Sequence, residues 1–309
     1  MGACEIGLVQ VFGLSPRYGF DHLERFARTA EGLGFASIWA PEHVAFFSSY
    51  ESQYPYPPEP GSEQEPQLPA GRQPAIFDPL MACQALAAHT STVRVGTAIA
   101  LVPLRHPLMW ARQLATLDHA AGGRLDFGVG VGWMREEFDA LGVPFEQRGS
   151  MTDEYLMVLR RLWTDDVTTY SGRHVQLTDV LSFPKPVQQP GPPVLIGGES
   201  DGALRRVARL GDGWFGWNMT PDEFERHLGR LDDHLAKERF VDDRRRDRSE
   251  LTIQVGLAWQ RSFAELAELI DAYVQLGATR VAVGVPIRHD ALEDGLGELA
   301  AALGLEARI

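Results

Sequence analysis

Four short stretches of this 309-residue chain carry side chains and backbone that could do chemistry. Glu42-His43 follows the apolar run Ser37 to Ala40 and joins a carboxylate to an imidazole, the pairing that proton relays use near neutral pH. Val95-Gly96-Thr97-Ala98-Ile99-Ala100-Leu101 sets Gly96 and the small Ala98 inside a branched run, where backbone can come close to another group. Gly128-Val129-Gly130-Val131-Gly132-Trp133 places three glycines at alternate positions. On a strand these share one face and leave bare backbone against which a planar ring can lie. Val194-Leu195-Ile196-Gly197-Gly198-Glu199-Ser200 reads as strand, glycine turn and helix start, the arrangement whose N–H groups and helix dipole hold a phosphate. Glu199 opposes that charge unless it turns to solvent. Plainer readings of the same residues are a loop histidine without a role, a core-packing adjustment and a glycine bend without a ligand.

Other chemistries find little purchase. The glycine run does not complete a dinucleotide fingerprint, because Trp133 or Arg135 stands where the third glycine belongs. No GxSxG, HExxH or Walker loop occurs, and His106 has no second ligand at metal-site spacing, so no metal is expected. Cys4 and Cys83 form no pairing pattern, which suits a reducing compartment. A net charge of −13 repels nucleic acid and anionic lipid. No apolar run approaches a membrane span, and Glu5 interrupts any leader-like start, so a cytoplasmic protein is expected.

Elements that could position these stretches alternate along the chain. Strand candidates are Glu5 to Phe12, Ser37 to Ala40, Val93 to Ala100, Leu125 to Val129, Val194 to Ile196, Trp214 to Trp217, Leu251 to Gly256 and Arg280 to Val283. Helices open at Asp21 as N-cap, at Asp78-Pro79, at Pro107 and at Asp201. Others open at the capping box of Thr220-Pro221-Asp222-Glu223, at Phe263 and near Asp290. Eight strands with following helices predict an α/β fold, a (β/α)8 TIM barrel occupying residues 1–309 as a single domain. A doubly wound sheet is the rival; the first turn, Phe12-Gly13-Leu14-Ser15-Pro16, lacks its glycine fingerprint. Two insertions break the rhythm. Residues 41–76 form a Pro-rich loop after strand two, and residues 131–192 hold a helix near Thr152 to Trp163, a hairpin around Gly172 and a Pro-rich stretch after strand four. Both follow strand C-termini, the face on which barrel enzymes build their sites.

Taken together the motifs resemble the bacterial luciferase-like monooxygenase family, in particular its branch of coenzyme F420-dependent oxidoreductases. The likeness runs from about residue 5 to 285. It rests on Ala30-Glu31-Gly32-Leu33-Gly34-Phe35-Ala36-Ser37-Ile38-Trp39 with Glu42-His43, and on Val95-Gly96-Thr97 with Pro103-Leu104-Arg105-His106-Pro107. It rests also on Ala115 to Trp133 with Glu136-Glu137-Phe138, and on Pro193 to Gly198 with Gly211-Asp212-Gly213-Trp214. The resemblance implies a non-prolyl cis peptide at Ala98–Ile99 with Ile99 backing the coenzyme ring. It also implies Gly130, Gly132 and Trp133 beside that ring, and Gly197 and Gly198 on the phosphate. His43 would sit at the reacting carbon with Glu42 as its neighbour, where the family often has Asp. The implied activity is F420-dependent hydride transfer to or from a small organic molecule, with an FMN-dependent two-component monooxygenase as the alternative. A homodimer and a flavin or F420 reductase are the implied partners. Arg17, Arg105, Arg112, Arg135 and Arg148 are candidates for the coenzyme's acidic tail, and Phe46, Phe47, Tyr50, Tyr54 and Tyr56 for an apolar pocket wall.

Overall fold

A computed structural model describes residues 4–9, 19–63 and 76–306. The expected turn Phe12 to Pro16, Arg17 and most of the far end of the Pro-rich loop lie outside the described residues. Parallel strands close into an eight-stranded barrel with helices around it. In chain order these are β1 (Glu5–Val9), β2 (Ser37–Ala40), β3 (Arg94–Thr97) continued by β4 (Ala100–Leu101), and β5 (Leu125–Gly130). After an inserted antiparallel hairpin, β6 (Thr168–Ser171) and β7 (Gln176–Val180), the barrel resumes with β8 (Val194–Gly197), β9 (Gly213–Trp217), β10 (Thr252–Ala258) and β11 (Arg280–Gly284). Pairing of β1 with β11 and of β3 with β5 closes the ring. The open-sheet rival is thereby excluded.

Strands such as β5 are buried along their whole length, which is why they read as unbroken apolar runs rather than alternating ones. Inside the barrel, Trp39 and Phe215 meet edge to face at 5.2 Å between centroids, among Val9, Leu195 and Ala282. Glycine makes room for them: a Cβ on Gly96 would stand 2.4 Å from the Trp39 ring, and one on Gly256 2.3 Å from that of Trp217. At the opposite, N-terminal end the buried Asp126 is gripped by Arg94 (2.6 Å) and Arg280 (3.0 Å), which compensates an otherwise costly buried charge.

The helices are α1 (Gly19–Gly32), α2 (Pro79–Ala88), α3 (Pro107–Ala120), α4 (Arg135–Leu141), α5 (Arg148–Thr164), α6 (Asp201–Leu210), α7 (Pro221–Lys237), α8 (Phe263–Leu276) and α9 (Leu292–Ala302). Asp78 caps α2, and Thr220 with Glu223 forms the capping box of α7. Three expectations shift. Asp21 lies inside the first turn of α1 and is not its cap, because the helix already starts at Gly19. The third strand is interrupted where Ala98–Ile99 is cis, so β3 and β4 are two pieces of one strand. The insertion after β5 opens with α4, a helix too short to give a readable period. No helix among the described residues is long and apolar enough to cross a membrane.

Candidate active site

The C-terminal strand ends surround a cavity of about 410 Å³. Glu42, His43, Ala98, Ile99, Gly130, Gly132, Trp133, Gly197 and Gly198, drawn from four regions of the sequence, all line it. Among the described residues no cluster of three or more His, Cys, Asp or Glu is placed to hold a metal.

His43 leaves the end of β2 and pairs across the mouth with α4: its Nδ1 lies 3.1 Å from Glu137 Oε2. Glu137 is buried, and its Oε1 accepts from the backbone N–H of Val44 (2.6 Å) and Ala45 (3.3 Å). Those donors fix the carboxylate, which then accepts from Nδ1–H and leaves Nε2 as the nitrogen available to a bound molecule. The Phe46 ring packs at 4.9 Å and Trp133 stands edge-on at 5.8 Å.

Glu42 does something different from the expected proton chemistry. Its Oε2 accepts from Leu101 N–H (2.6 Å) and its Oε1 pairs with Arg105 (2.8 Å), which also reaches Asp78 (2.8 Å). Burial pushes this carboxyl up, while Arg105 and the Leu101 N–H pull against it. With both oxygens committed, Glu42 anchors β4 just past the cis peptide. Glu137 takes the place beside His43 that Glu42 was expected to hold. The sequence signal for it was the Glu136-Glu137-Phe138 motif, whose spatial partner sequence spacing does not reveal.

The glycines also work differently from a bare ring floor. β5 ends at Gly130, and Gly132 has φ of +83°, so the three glycines do not share one strand face. A Cβ on Gly128 would meet Thr97 O at 2.0 Å, one on Gly130 would meet Ile99 Cδ1 at 2.1 Å, and one on Gly197 would meet it at 2.8 Å. Gly130 and Gly197 therefore make room for the Ile99 side chain, and all three line the cavity. A Cβ on Gly132 would strike the Phe138 ring at 2.8 Å.

On the other wall, Gly198 has φ of +107° and turns the chain into α6. Ser200 Oγ accepts from Ala203 N–H (3.1 Å), and Asp201 is drawn outward by His234 (3.0 Å) and Arg230 (3.4 Å). Arg206, buried on the apolar face of α6, lines the cavity and is ion-paired with Asp153. An arginine at a buried helical position is the signal that could have found it. Of the expected arginines, Arg135 pairs with Glu146, Arg148 donates to Gly132 O (3.2 Å) and stacks on Phe145, and Arg105 is tied up as above. The glycine turn and the helix N-terminus form a donor set that fits an anionic group, while the Arg206 guanidinium is held by Asp153 and by Gly149 O (3.2 Å).

Glu199 faces neither solvent nor the helix start. Its Oε1 accepts from Trp217 N–H (2.9 Å), and the Tyr56 phenol hydrogen-bonds to it. Burial pushes the Glu199 carboxyl up to about 6 despite both bonds. Tyr56 is driven well above its ordinary value, and Tyr54 to about 12, again by burial.

The loop that carries these tyrosines is strapped across the mouth. Glu136 Oε1 accepts from the N–H of Glu51 (2.7 Å) and Ser52 (3.2 Å). Asn218 Nδ2–H donates to Pro57 O (2.7 Å), and Glu59 accepts from Gln260 N–H (3.1 Å) and Arg261 Nε–H (2.8 Å). Phe46, Tyr54 and Tyr56 line the cavity as expected of the loop, while Tyr50 packs on Trp133 at 6.4 Å.

The sequence model of the luciferase-like monooxygenases matches residues 8–306. An uncharacterized protein of Mycobacterium tuberculosis (strain ATCC 25618 / H37Rv) is 37% identical over 190 residues, 61% of this chain. The match spans 64% of that relative's length. The FMNH2-dependent dimethylsulfone monooxygenase of Pseudomonas putida is 35% identical over 156 residues, 50% of this chain and 42% of that protein. Among solved structures, an F420-dependent secondary alcohol dehydrogenase in complex with an F420-acetone adduct shares the fold. Its TM-score is 0.75 at 16% identity, over 98% of this chain and 99% of that one.

Proposed function

The chain belongs to the luciferase-like monooxygenase family, and from that premise we propose that it is an F420-dependent oxidoreductase transferring a hydride between the deazaflavin and a small organic substrate. The cavity carries this reading: Ile99 backs it, the His43–Glu137 pair stands on one wall, and the Gly197-Gly198 turn with Arg206 on another. Ala98, Ile99, Gly130, Gly132 and Trp133, which line the cavity, would hold the ring, and Gly197 and Gly198 would hold the phosphate. When bound, the coenzyme supplies the hydride donor or acceptor. The protein orients the reactants and handles the proton. With Nδ1–H committed to Glu137, His43 Nε2 takes the proton of a substrate hydroxyl, or returns it in the reverse direction. Phe46, Tyr54 and Tyr56 of the loop after β2 give this side of the cavity an aromatic wall against which an organic substrate can lie.

An FMN-dependent monooxygenase fed by a separate reductase is the second reading, supported by the dimethylsulfone monooxygenase relative. Spectroscopic titration of the purified protein with F420 and with FMN separates them. Saturable F420 binding without FMN binding is expected; tight FMN binding with none for F420 overturns the first reading.

A further inference from the structure

We propose that Glu199 and Tyr56 form the polar end of the substrate subsite and set its specificity, admitting neutral ring-sized molecules that carry a hydroxyl group and rejecting carboxylates and phosphates. The proposal deepens the oxidoreductase reading and rests on it.

The walls beside this pair are aromatic. Tyr54 meets Trp133 edge-on at 5.4 Å and Tyr56 at 5.7 Å, and Trp217 lines the same space. Flat apolar surfaces of this kind bind ring-sized organic molecules. Polarity enters through Glu199 and Tyr56. One Glu199 oxygen is spent on Trp217 N–H, and the Tyr56 phenol bonds to the carboxyl. The carboxylate keeps lone pairs for a ligand hydroxyl, and the phenol, whose one proton goes to that carboxylate, steadies it and offers only its own oxygen lone pairs to a ligand donor.

Charge decides what is refused. Arg206 lines the cavity too, but Asp153 and Gly149 O (3.2 Å) hold its guanidinium. Arg230 donates to the Glu199 carbonyl oxygen (3.1 Å) and not to its carboxylate. Among the described residues lining this end of the cavity, no cation is left to neutralise both Glu199 and an incoming anion. Like charges brought together in a desolvated pocket repel strongly. The coenzyme phosphate escapes this penalty because the Glu199 side chain crosses away from the glycine turn to the end of β9.

Calorimetric titration at pH 8 of the F420-loaded protein with two probes of the same ring size, neutral 2-naphthol and anionic 2-naphthalenesulfonate, tests the inference on the wild type, Glu199→Gln and Tyr56→Phe. The wild type is expected to prefer naphthol by about tenfold or more. Glu199→Gln should narrow that gap to about twofold by tightening the sulfonate, and Tyr56→Phe should weaken naphthol about threefold or more. Equal binding of the two probes by the wild type, failure of both to bind, or an unchanged preference in Glu199→Gln overturns it. Should Glu199→Gln not fold, an unchanged naphthol affinity in Tyr56→Phe does so. A parallel F420 titration keeps the two proposals apart. Lost discrimination with intact coenzyme binding removes the subsite alone, whereas absent coenzyme binding removes the oxidoreductase reading.

Discussion

His43 Nδ1 and Glu137 Oε2 lie 3.1 Å apart although 94 residues separate them in the chain. One comes from the end of a barrel strand and the other from a short inserted helix, so the contact exists only once the barrel has closed. Its carboxylate also holds the N–H groups of Val44 and Ala45, which fixes the loop start and the imidazole together.

Glu137→Ala is therefore expected to cost about 2–3 kcal/mol of stability, because two backbone donors and an imidazole lose their acceptor in a buried place. Glu137→Gln keeps an acceptor and should retain most of that stability. It should lower turnover by about tenfold or more by releasing the ring orientation. Denaturant unfolding and steady-state kinetics of the two variants check this, and His43→Ala should lose turnover while still binding coenzyme.

Gly130→Ala places a methyl 2.1 Å from Ile99 Cδ1, an overlap that Ile99 can relieve only by moving. Overpacking of this kind costs about 1–3 kcal/mol. The variant should bind coenzyme more weakly, since Ile99 would shift within the cavity it lines. Adding Ile99→Ala should restore part of both losses. A double-mutant cycle on stability and coenzyme affinity measures the coupling, and strict additivity would count against the contact.

The fold was far more legible in the sequence than the site. Asp78-Pro79 and Thr220 to Glu223 announced their helices, because caps and proline act locally and need no tertiary partner. The eight strands followed from short apolar runs between turn residues. Adjacency misled at Glu42-His43: neighbours in a loop point different ways, and Glu42 turned to Leu101 N–H. The glycines of β5 were visible, but the Ile99 side chain that fills their space comes from a neighbouring strand. Glu199 could not be placed at all without knowing that Tyr56 arrives from a loop more than a hundred residues earlier.

Acidity should expose Glu199. Burial raises its carboxyl from the ordinary 4.5 to about 6 in the folded protein, so the folded state holds this proton more tightly than the unfolded one. The stability this group contributes is whole below about pH 4.5 and is lost as pH rises through about 6, by roughly 2 kcal/mol in total. Glu199→Gln does not titrate. Its stability relative to wild type should therefore improve by about 1–2 kcal/mol between pH 4 and pH 7.5. Urea unfolding at the two pH values reads this difference, and a constant difference would place Glu199 in water.

Asn218 is buried with φ of +47° and joins Pro57 O (2.7 Å) to Ala258 N–H (2.6 Å). Asn218→Ala gives up both bonds and a conformation that asparagine tolerates better than alanine, at a cost of about 1–3 kcal/mol. Limited proteolysis should then cut between Pro41 and Glu63 faster than in the wild type, with the barrel itself left intact. Unchanged cleavage would mean that the strap is held elsewhere.

The most direct measurement is a crystal structure of the protein soaked with F420. A tricyclic ring is expected against Ile99 with its reacting edge toward His43, and a phosphate at Gly197-Gly198. A cavity without coenzyme density at saturating concentration, or a ring bound away from Ile99 and His43, would contradict the assignment of this mouth as the coenzyme site.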